Sequence, residues 1–214
     1  MENFIKGIIF DLTGVIVIGN SRAFYTELTL GYNLNFNYQI WRSLYRQASS
    51  GVITYSHFVE SLASKLSIPP AELELKIAAS VSTKVRIAKG AYEVLLQVKR
   101  LGLRSAILTN NIAEWVGIIE RKLNFGNFVD AILVSSSIKV RKPSARAYIL
   151  ASIAIDRIPQ DLCYVGDEDG DVRGAKKVGM KAVFIPGEDE FSEYCDYMIR
   201  NIGEVLKLPL LQKR

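Results

Sequence analysis

The sequence predicts an α/β fold, a doubly wound parallel sheet with a small all-helical cap inserted in it, and three observations carry the prediction. From Ala88 onward, short apolar runs alternate with segments of helical period, a pattern that argues for parallel strands covered by helices on both faces. Two acidic clusters, Phe10-Asp11-Leu12-Thr13-Gly14-Val15 and Gly166-Asp167-Glu168-Asp169-Gly170-Asp171, each follow an apolar run, Ile8-Ile9-Phe10 and Leu162-Cys163-Tyr164-Val165. Both therefore set carboxylates at the C-terminal end of a strand, the edge where open α/β sheets bind ligands. Between them, residues 17–84 lack the alternation and read mostly as helix. The expected organisation is a core of residues 1–16 and 85–214 with a helical cap of residues 17–84.

Residues 4–14 read as the first strand and its loop. Ser21 to Thr29 is a candidate helix, and Tyr38 to Arg46 has apolar residues at helical spacing, broken by Ser49-Ser50-Gly51. Thr54 reads as an N-cap for Tyr55 to Leu66, because its hydroxyl can accept a free backbone N–H. Pro69-Pro70 starts a further helix, with proline in the first turn where no N–H is needed. Tyr92 to Leu101 reads as helix ended by Gly102, Arg104 to Leu108 as strand, and Ala113 to Leu123 as helix. Ala131 to Val134 is strand, Ala145 to Ile153 helix, and Leu162 to Val165 strand. Val172 to Val178 is helix ended by Gly179, and Lys181 to Ile185 is strand closed by Pro186-Gly187. No internal repeat or low-complexity segment interrupts this order.

Composition narrows the function classes. The chain has 214 residues, 49% hydrophobic and 23% charged, ordinary values for one globular domain with an insert. Its net charge of +5 is scattered, which suits anionic small molecules and gives no basic stripe for nucleic acid. Cys163 falls in a buried strand and Cys195 near the C-terminus, neither with ligand partners nearby, so zinc and disulfide frameworks are not indicated. No apolar run approaches the ~20 residues of a membrane span. Met1-Glu2-Asn3 leads into a core strand rather than a cationic leader, so the expected setting is the cytoplasm. Oligomeric state is not legible.

Several carboxylates at one sheet edge repel one another unless a cation joins them, and oxygen-only ligands suit Mg²⁺. Gly14 would let the loop after Asp11 turn tightly and aim N–H groups at an anion. Leu108-Thr109-Asn110-Asn111 offers a hydroxyl and an N–H at the end of another strand, or an N-cap for the helix at Ala113. Lys142 precedes Pro143 after a strand, with Lys139 and Arg141 as near rivals.

Together these residues resemble the haloacid dehalogenase superfamily. Asp11 sits where that family has its nucleophilic aspartate, Thr109 where it binds phosphate, Lys142 where it keeps its lysine, and Asp167 and Asp171 where it has paired acids in a Gly-Asp-x-x-x-Asp motif. The insert around Gly51-Val52-Ile53-Thr54 resembles the small cap of glucose-1-phosphate phosphatases and of the phosphatase domain of soluble epoxide hydrolases. The resemblance implies a Mg²⁺-dependent hydrolase of a small phosphorylated metabolite working through an aspartyl-phosphate. It gives Asp11 and Lys142 the catalytic positions, and Thr13, Gly14, Thr109, Asn110 and Lys142 the phosphate. The metal falls to Asp11, Thr13, Asp167 and Asp171, with Asp171 holding a metal-bound water or Lys142. Glu168 and Asp169 read as solvated loop acids.

One position departs from the pattern. Phosphatases of the family carry a second aspartate two residues after the nucleophile, and this chain has Thr13 there, as in the Asp-Lys-Thr-Gly loop of P-type ATPases. A threonine hydroxyl cannot exchange a proton near neutral pH, and acid–base help of that kind contributes about 10²–10⁴-fold. Slow hydrolysis is the expectation. The alternatives are a weak or inactive member that binds a phosphate metabolite or a protein, and a 2-haloacid dehalogenase or phosphonatase. Dehalogenases of the family also lack the second aspartate, but they do not need Mg²⁺ and usually lack the acid at Asp167, whose presence argues against dehalogenation. Phosphonatases need a cap lysine, for which Lys65 and Lys84 carry no signature. In the insert, His57 reads as a surface structural residue. Trp41, Arg42, Tyr45 and Arg46 read as an amphipathic helix packing its aromatics, or as a substrate-pocket wall.

Overall fold

Six parallel strands form the sheet, in the order Ala131–Val134, Arg104–Thr109, Gly7–Phe10, Leu162–Gly166, Lys181–Phe184 and Tyr197–Met198. The structure, a computed structural model, describes residues 4–19, 38–187 and 189–211. The expected helix at Ser21 to Thr29 lies outside them. Along the chain come β1 (Gly7–Phe10), β2 (Val17–Ile18), α1 (Tyr38–Ser49), α2 (Tyr55–Leu66), α3 (Pro70–Lys84), β3 (Arg86–Ile87) and α4 (Ala91–Arg100). Then follow β4 (Arg104–Thr109), α5 (Ala113–Leu123), β5 (Ala131–Val134), α6 (Ser135–Ile138), α7 (Ala145–Ala154), β6 (Leu162–Gly166), α8 (Asp169–Lys177), β7 (Lys181–Phe184) and β8 (Tyr197–Met198).

β1 is central and every residue of it is buried, because a parallel sheet covered on both faces needs apolar side chains on both. Ile8 and Phe10 face one core with Ile107, Cys163 and Val165, while Ile9 faces the other with Leu108, Leu162 and Tyr164. The register pairs Phe10 with Ile107 on one side and Val165 on the other. The Asp11 N–H continues the ladder to the Val165 carbonyl at 2.8 Å. The chain segments that follow β1, β4 and β6 therefore leave the sheet at one edge, and the two acidic clusters meet there.

The local signals explain the helices. Thr54 caps α2, its Oγ1 accepting the His57 N–H at 3.2 Å. Pro70 opens α3. α8 begins at Asp169 rather than Val172, so Asp169 and Asp171 sit in its first turn, where the helix dipole favours acids. The alternative reading of Thr109-Asn110-Asn111 as the N-cap of α5 does not hold: the N-cap is Ile112, and Ser136 Oγ accepts the Ala113 N–H at 2.9 Å. The antiparallel pair β2–β3, the strand β8 and the four-residue α6 have no counterpart in the sequence reading, since so few residues carry no periodicity.

The helices between β2 and β3 are tied to the core by aromatics. Trp41 stacks 6.2 Å from Trp115 of α5 and meets Phe58 of α2 edge-on at 5.7 Å. Arg42 and Arg46 are exposed, as is His57. No helix among the described residues is long and apolar enough to cross a membrane. Because Trp41 is only 2% exposed, Trp41→Ala should cost about 3–5 kcal/mol in urea unfolding. A loss below about 1 kcal/mol would mean that the helical insert and α5 do not share a core.

Candidate active site

A buried lysine organises the sheet edge. Lys142 Nζ lies 2.6 Å from Asp11 Oδ2 and 2.8 Å from Asp171 Oδ2, and all three side chains are almost fully buried. Asp11 comes from the end of β1, Lys142 from the loop before α7 and Asp171 from the first turn of α8. Burial lowers the Lys142 pKa, but the two carboxylates more than offset it and hold it above the ordinary lysine value. Asp11 is pushed up by burial and by Asp171, while Lys142 draws it down. Its Oδ1 accepts the Leu12 N–H at 2.7 Å, which fixes the carboxylate in the loop.

Two further residues hold the lysine. Tyr164 of β6 accepts a hydrogen bond from Lys142 Nζ at 2.8 Å, and its hydroxyl is 3.5 Å from both Asp11 Oδ2 and Asp171 Oδ2. Its ring lies back over Gly166, where an added Cβ would meet Tyr164 Cε1 at 2.5 Å. Asn110 clamps the lysine's backbone: its Nδ2 donates to the Lys142 carbonyl at 3.1 Å and its Oδ1 accepts the Lys142 N–H at 2.9 Å. Neither role is legible in the sequence. Tyr164 reads there as a core strand residue, and Asn110 only as an N–H donor.

Asp167 approaches from the other side of the loop. Gly14, at φ +83°, leaves a space that a Cβ would fill, 1.8 Å from Asp167 Oδ2. Burial, and then the charge of Asp11, push the Asp167 pKa up to about 7. Asp11, Asp167 and Asp171 against one ammonium leave a formal excess of two negative charges, the charge of one divalent cation. No three His, Cys, Asp or Glu side chains gather as metal ligands among the described residues. Asp11 and Asp167, whose charges interact across the Gly14 loop, are the side chains that would hold a cation, with water supplying its other oxygens. Few protein ligands and retained waters are the habit of Mg²⁺, and the donor set fits that ion. The Asp171 carboxylate is taken by Lys142.

Thr13, Tyr45, Asn110, Arg141 and Glu168 share the wall of a cavity of about 190 Å³ with Lys84 of α3. The Tyr45 hydroxyl reaches the Asn110 carbonyl and Asn111 Oδ1, both at 3.4 Å. Tyr45 thus turns to the cavity, while Trp41 packs in the core. Thr109 is buried at the end of β4. Lys139 and Lys65 are exposed and apart from the triad. The Asp169 N–H donates to Asp189 Oδ2 at 2.8 Å, which anchors the loop beside Asp167.

Comparison with known proteins points the same way. A family model for haloacid dehalogenase-like hydrolases matches residues 8–185. The chain is 28% identical to a glyceraldehyde 3-phosphate phosphatase of Pyrococcus abyssi over 197 residues, covering 84% of this chain and 81% of that one. It is 31% identical to the Pyrococcus furiosus protein of that name over 135 residues, 59% of this chain but only 55% of the relative's length. Among solved structures, L-2-haloacid dehalogenase from Xanthobacter autotrophicus superposes with a TM-score of 0.72 at 20% identity, covering 95% of this chain and 98% of that one. CbbY from Rhodobacter sphaeroides in complex with phosphate gives 0.67 at 22%, covering 94% and 96%. These two likenesses show the fold.

Removing the lysine should expose the electrostatic debt it settles. Lys142→Met leaves buried carboxylates uncompensated and should cost about 3–5 kcal/mol in urea unfolding at neutral pH with chelator. The deficit should shrink in acid. A carboxyl such as Asp11, whose folded pKa is raised, contributes stability below its unfolded pKa and loses it as pH rises through the folded one. A deficit independent of pH would mean that shape, not charge, is what Lys142 supplies.

Proposed function

The chain belongs to the haloacid dehalogenase-like hydrolases, and on that premise we propose that it is a Mg²⁺-dependent phosphatase of small phosphate esters, working through an aspartyl-phosphate on Asp11. The observation that carries the reading is the pair of acids flanking one loop: Asp11 on Lys142 at 2.6 Å, and Asp167 against Gly14 of the same loop. A dehalogenase or a phosphate-binding scaffold has no use for that second acid.

In this reading an oxygen of Asp11 attacks phosphorus, and the ester P–O bond breaks. Lys142 favours the ionised form of the nucleophile against its burial and supplies fixed positive charge beside the transferring group. Thr109, Gly14 and Asn110 add neutral donors around the phosphate oxygens. The bound Mg²⁺ would neutralise charge on the transferring phosphoryl group. Water then attacks the aspartyl-phosphate, releasing phosphate and restoring the Asp11 carboxylate. Thr13 can hydrogen-bond to the departing oxygen but cannot protonate it, so water supplies that proton. Within the insert of residues 17–84, the helices α1 to α3 act as a cap over the cavity, on a substrate that is a small phosphorylated metabolite of the cytoplasm.

Turnover of an activated aryl phosphate should vanish in chelator and return with Mg²⁺, and Asp11→Asn should abolish it in a folded protein. Undiminished turnover in chelator would remove Mg²⁺ from the reading, and no turnover of any phosphate ester with Mg²⁺ present would overturn the phosphatase itself. Near-normal turnover of the asparagine variant would place the chemistry elsewhere.

Thr13 should limit the second step more than the first. An aryl group leaves without a proton, whereas breakdown always needs an activated water. Thr13→Asp should raise steady-state turnover, most on alkyl and sugar phosphates, by somewhat less than the ~10²–10⁴ typical of acid–base catalysis. Rapid-quench labelling should find phosphorylated protein in the native chain. Absence of label together with absence of gain would remove Thr13 as the bottleneck.

A further inference from the structure

Arg141 adjoins Lys142 in sequence yet stands outside its triad. Its Nη1 donates to Ser49 Oγ at the end of α1, and among the described residues it makes no ion pair. It is only partly exposed, and it lines the cavity that Thr13, Asn110 and Glu168 share. A guanidinium cannot shed its proton, and it offers five N–H donors in a planar fork. One of its nitrogens is engaged by Ser49, so the remaining donors need an acceptor. Lys84 adds a second cation to the same wall, against Glu168 as its acid. The cavity wall thus carries more positive than negative charge.

The guanidinium is also held in place. Ser49 Oγ donates to the Tyr45 carbonyl at 2.7 Å, and the Ser49 carbonyl accepts the Ser135 hydroxyl. The helical insert and the α6 segment therefore aim Arg141 together, and an ordered fork is what bidentate recognition of an anion requires. The space is short: about 190 Å³, roughly six waters' worth, enough for a few carbons with a polar head.

We propose that Arg141 selects phosphate esters whose leaving group carries a second anionic group, a carboxylate or a second phosphate. This rests on the phosphatase reading above for the placement of the first phosphate. Arg141 acts on binding rather than on the reacting atoms, so its contribution falls on KM more than on kcat.

The test is calorimetric binding, with Mg²⁺, of ethylphosphonate, phosphonopropionate and ethylenebisphosphonate, which share one phosphonate and differ at the far end. The native chain should bind one or both of the two-headed ligands more tightly than ethylphosphonate. Arg141→Gln should cut that margin about 10- to 100-fold, the usual worth of a charge-assisted hydrogen bond, and Arg141→Lys should restore part of it. Loss confined to phosphonopropionate assigns a carboxylate, and loss confined to the bisphosphonate a second phosphate. No native preference, or an equal loss on all three ligands, would overturn the proposal, the latter placing Arg141 on the transferring phosphate or on cavity shape. Urea midpoints of each variant separate misfolding from lost recognition. Aryl phosphate turnover of the native chain is measured alongside: its absence would remove the phosphatase reading while the binding margin still decides Arg141.

Discussion

A single ammonium shared by two buried carboxylates is the constraint on which the site depends. Placing Lys142 between Asp11 and Asp171 requires three separate chain segments to converge within hydrogen-bond distance. The register of β1 against β6 brings Asp11 beside Gly166, and the early start of α8 turns Asp171 back toward the lysine. Desolvating three charges is costly, and their attraction repays it only with good geometry and extra hydrogen bonds. Tyr164 and Asn110 supply those bonds, one to the ammonium and one pair to the lysine's backbone. Tyr148 extends the support by donating to the Asp171 carbonyl at 2.7 Å. The polar network is closed on the protein side, and that fixes one arrangement.

The same closure leaves Asp167 outside. It has no cation of its own in the triad, and burial with the neighbouring Asp11 charge destabilises its ionised form. A group so placed gains from a cation and loses without one. Gly14 decides whether the carboxylate can sit there at all, since any side chain at that position would occupy the Asp167 oxygen's place. Backbone shape at one residue and charge balance over four thus lead to the same donor set.

What was legible in the sequence were features with a local cause. The apolar runs before both acidic clusters, the threonine cap at Thr54 and the proline at Pro70 each act within a few residues, and each has its structural counterpart. The order of motifs along the chain likewise marked Asp11, Lys142 and Asp171 before their contacts could be measured. What escaped depends on contacts between distant segments. Tyr164 alternates like any strand residue, and only the fold shows that its hydroxyl reaches 22 residues back to Lys142. The Asn110 clamp spans 32 residues and the Arg141–Ser49 bond 92. Tyr45 and Trp41 lie one helical turn apart on α1, yet one faces the cavity and the other the core. Helical spacing alone could not divide them.

Thr13 and Arg141 meet in the charge count. With a divalent cation bound, the three acids and Lys142 come to formal neutrality. A carboxylate in place of Thr13 would add a negative charge to the wall of the cavity. Such a charge assists proton transfer but repels a substrate that arrives with its own second anion. With threonine there, the cavity wall keeps the excess positive charge of Arg141 and Lys84 over Glu168. On the proposed reading, Thr13 and an Arg141 that makes no ion pair among the described residues would give one bias: toward holding a doubly anionic ester firmly, at the expense of rapid breakdown of the aspartyl-phosphate.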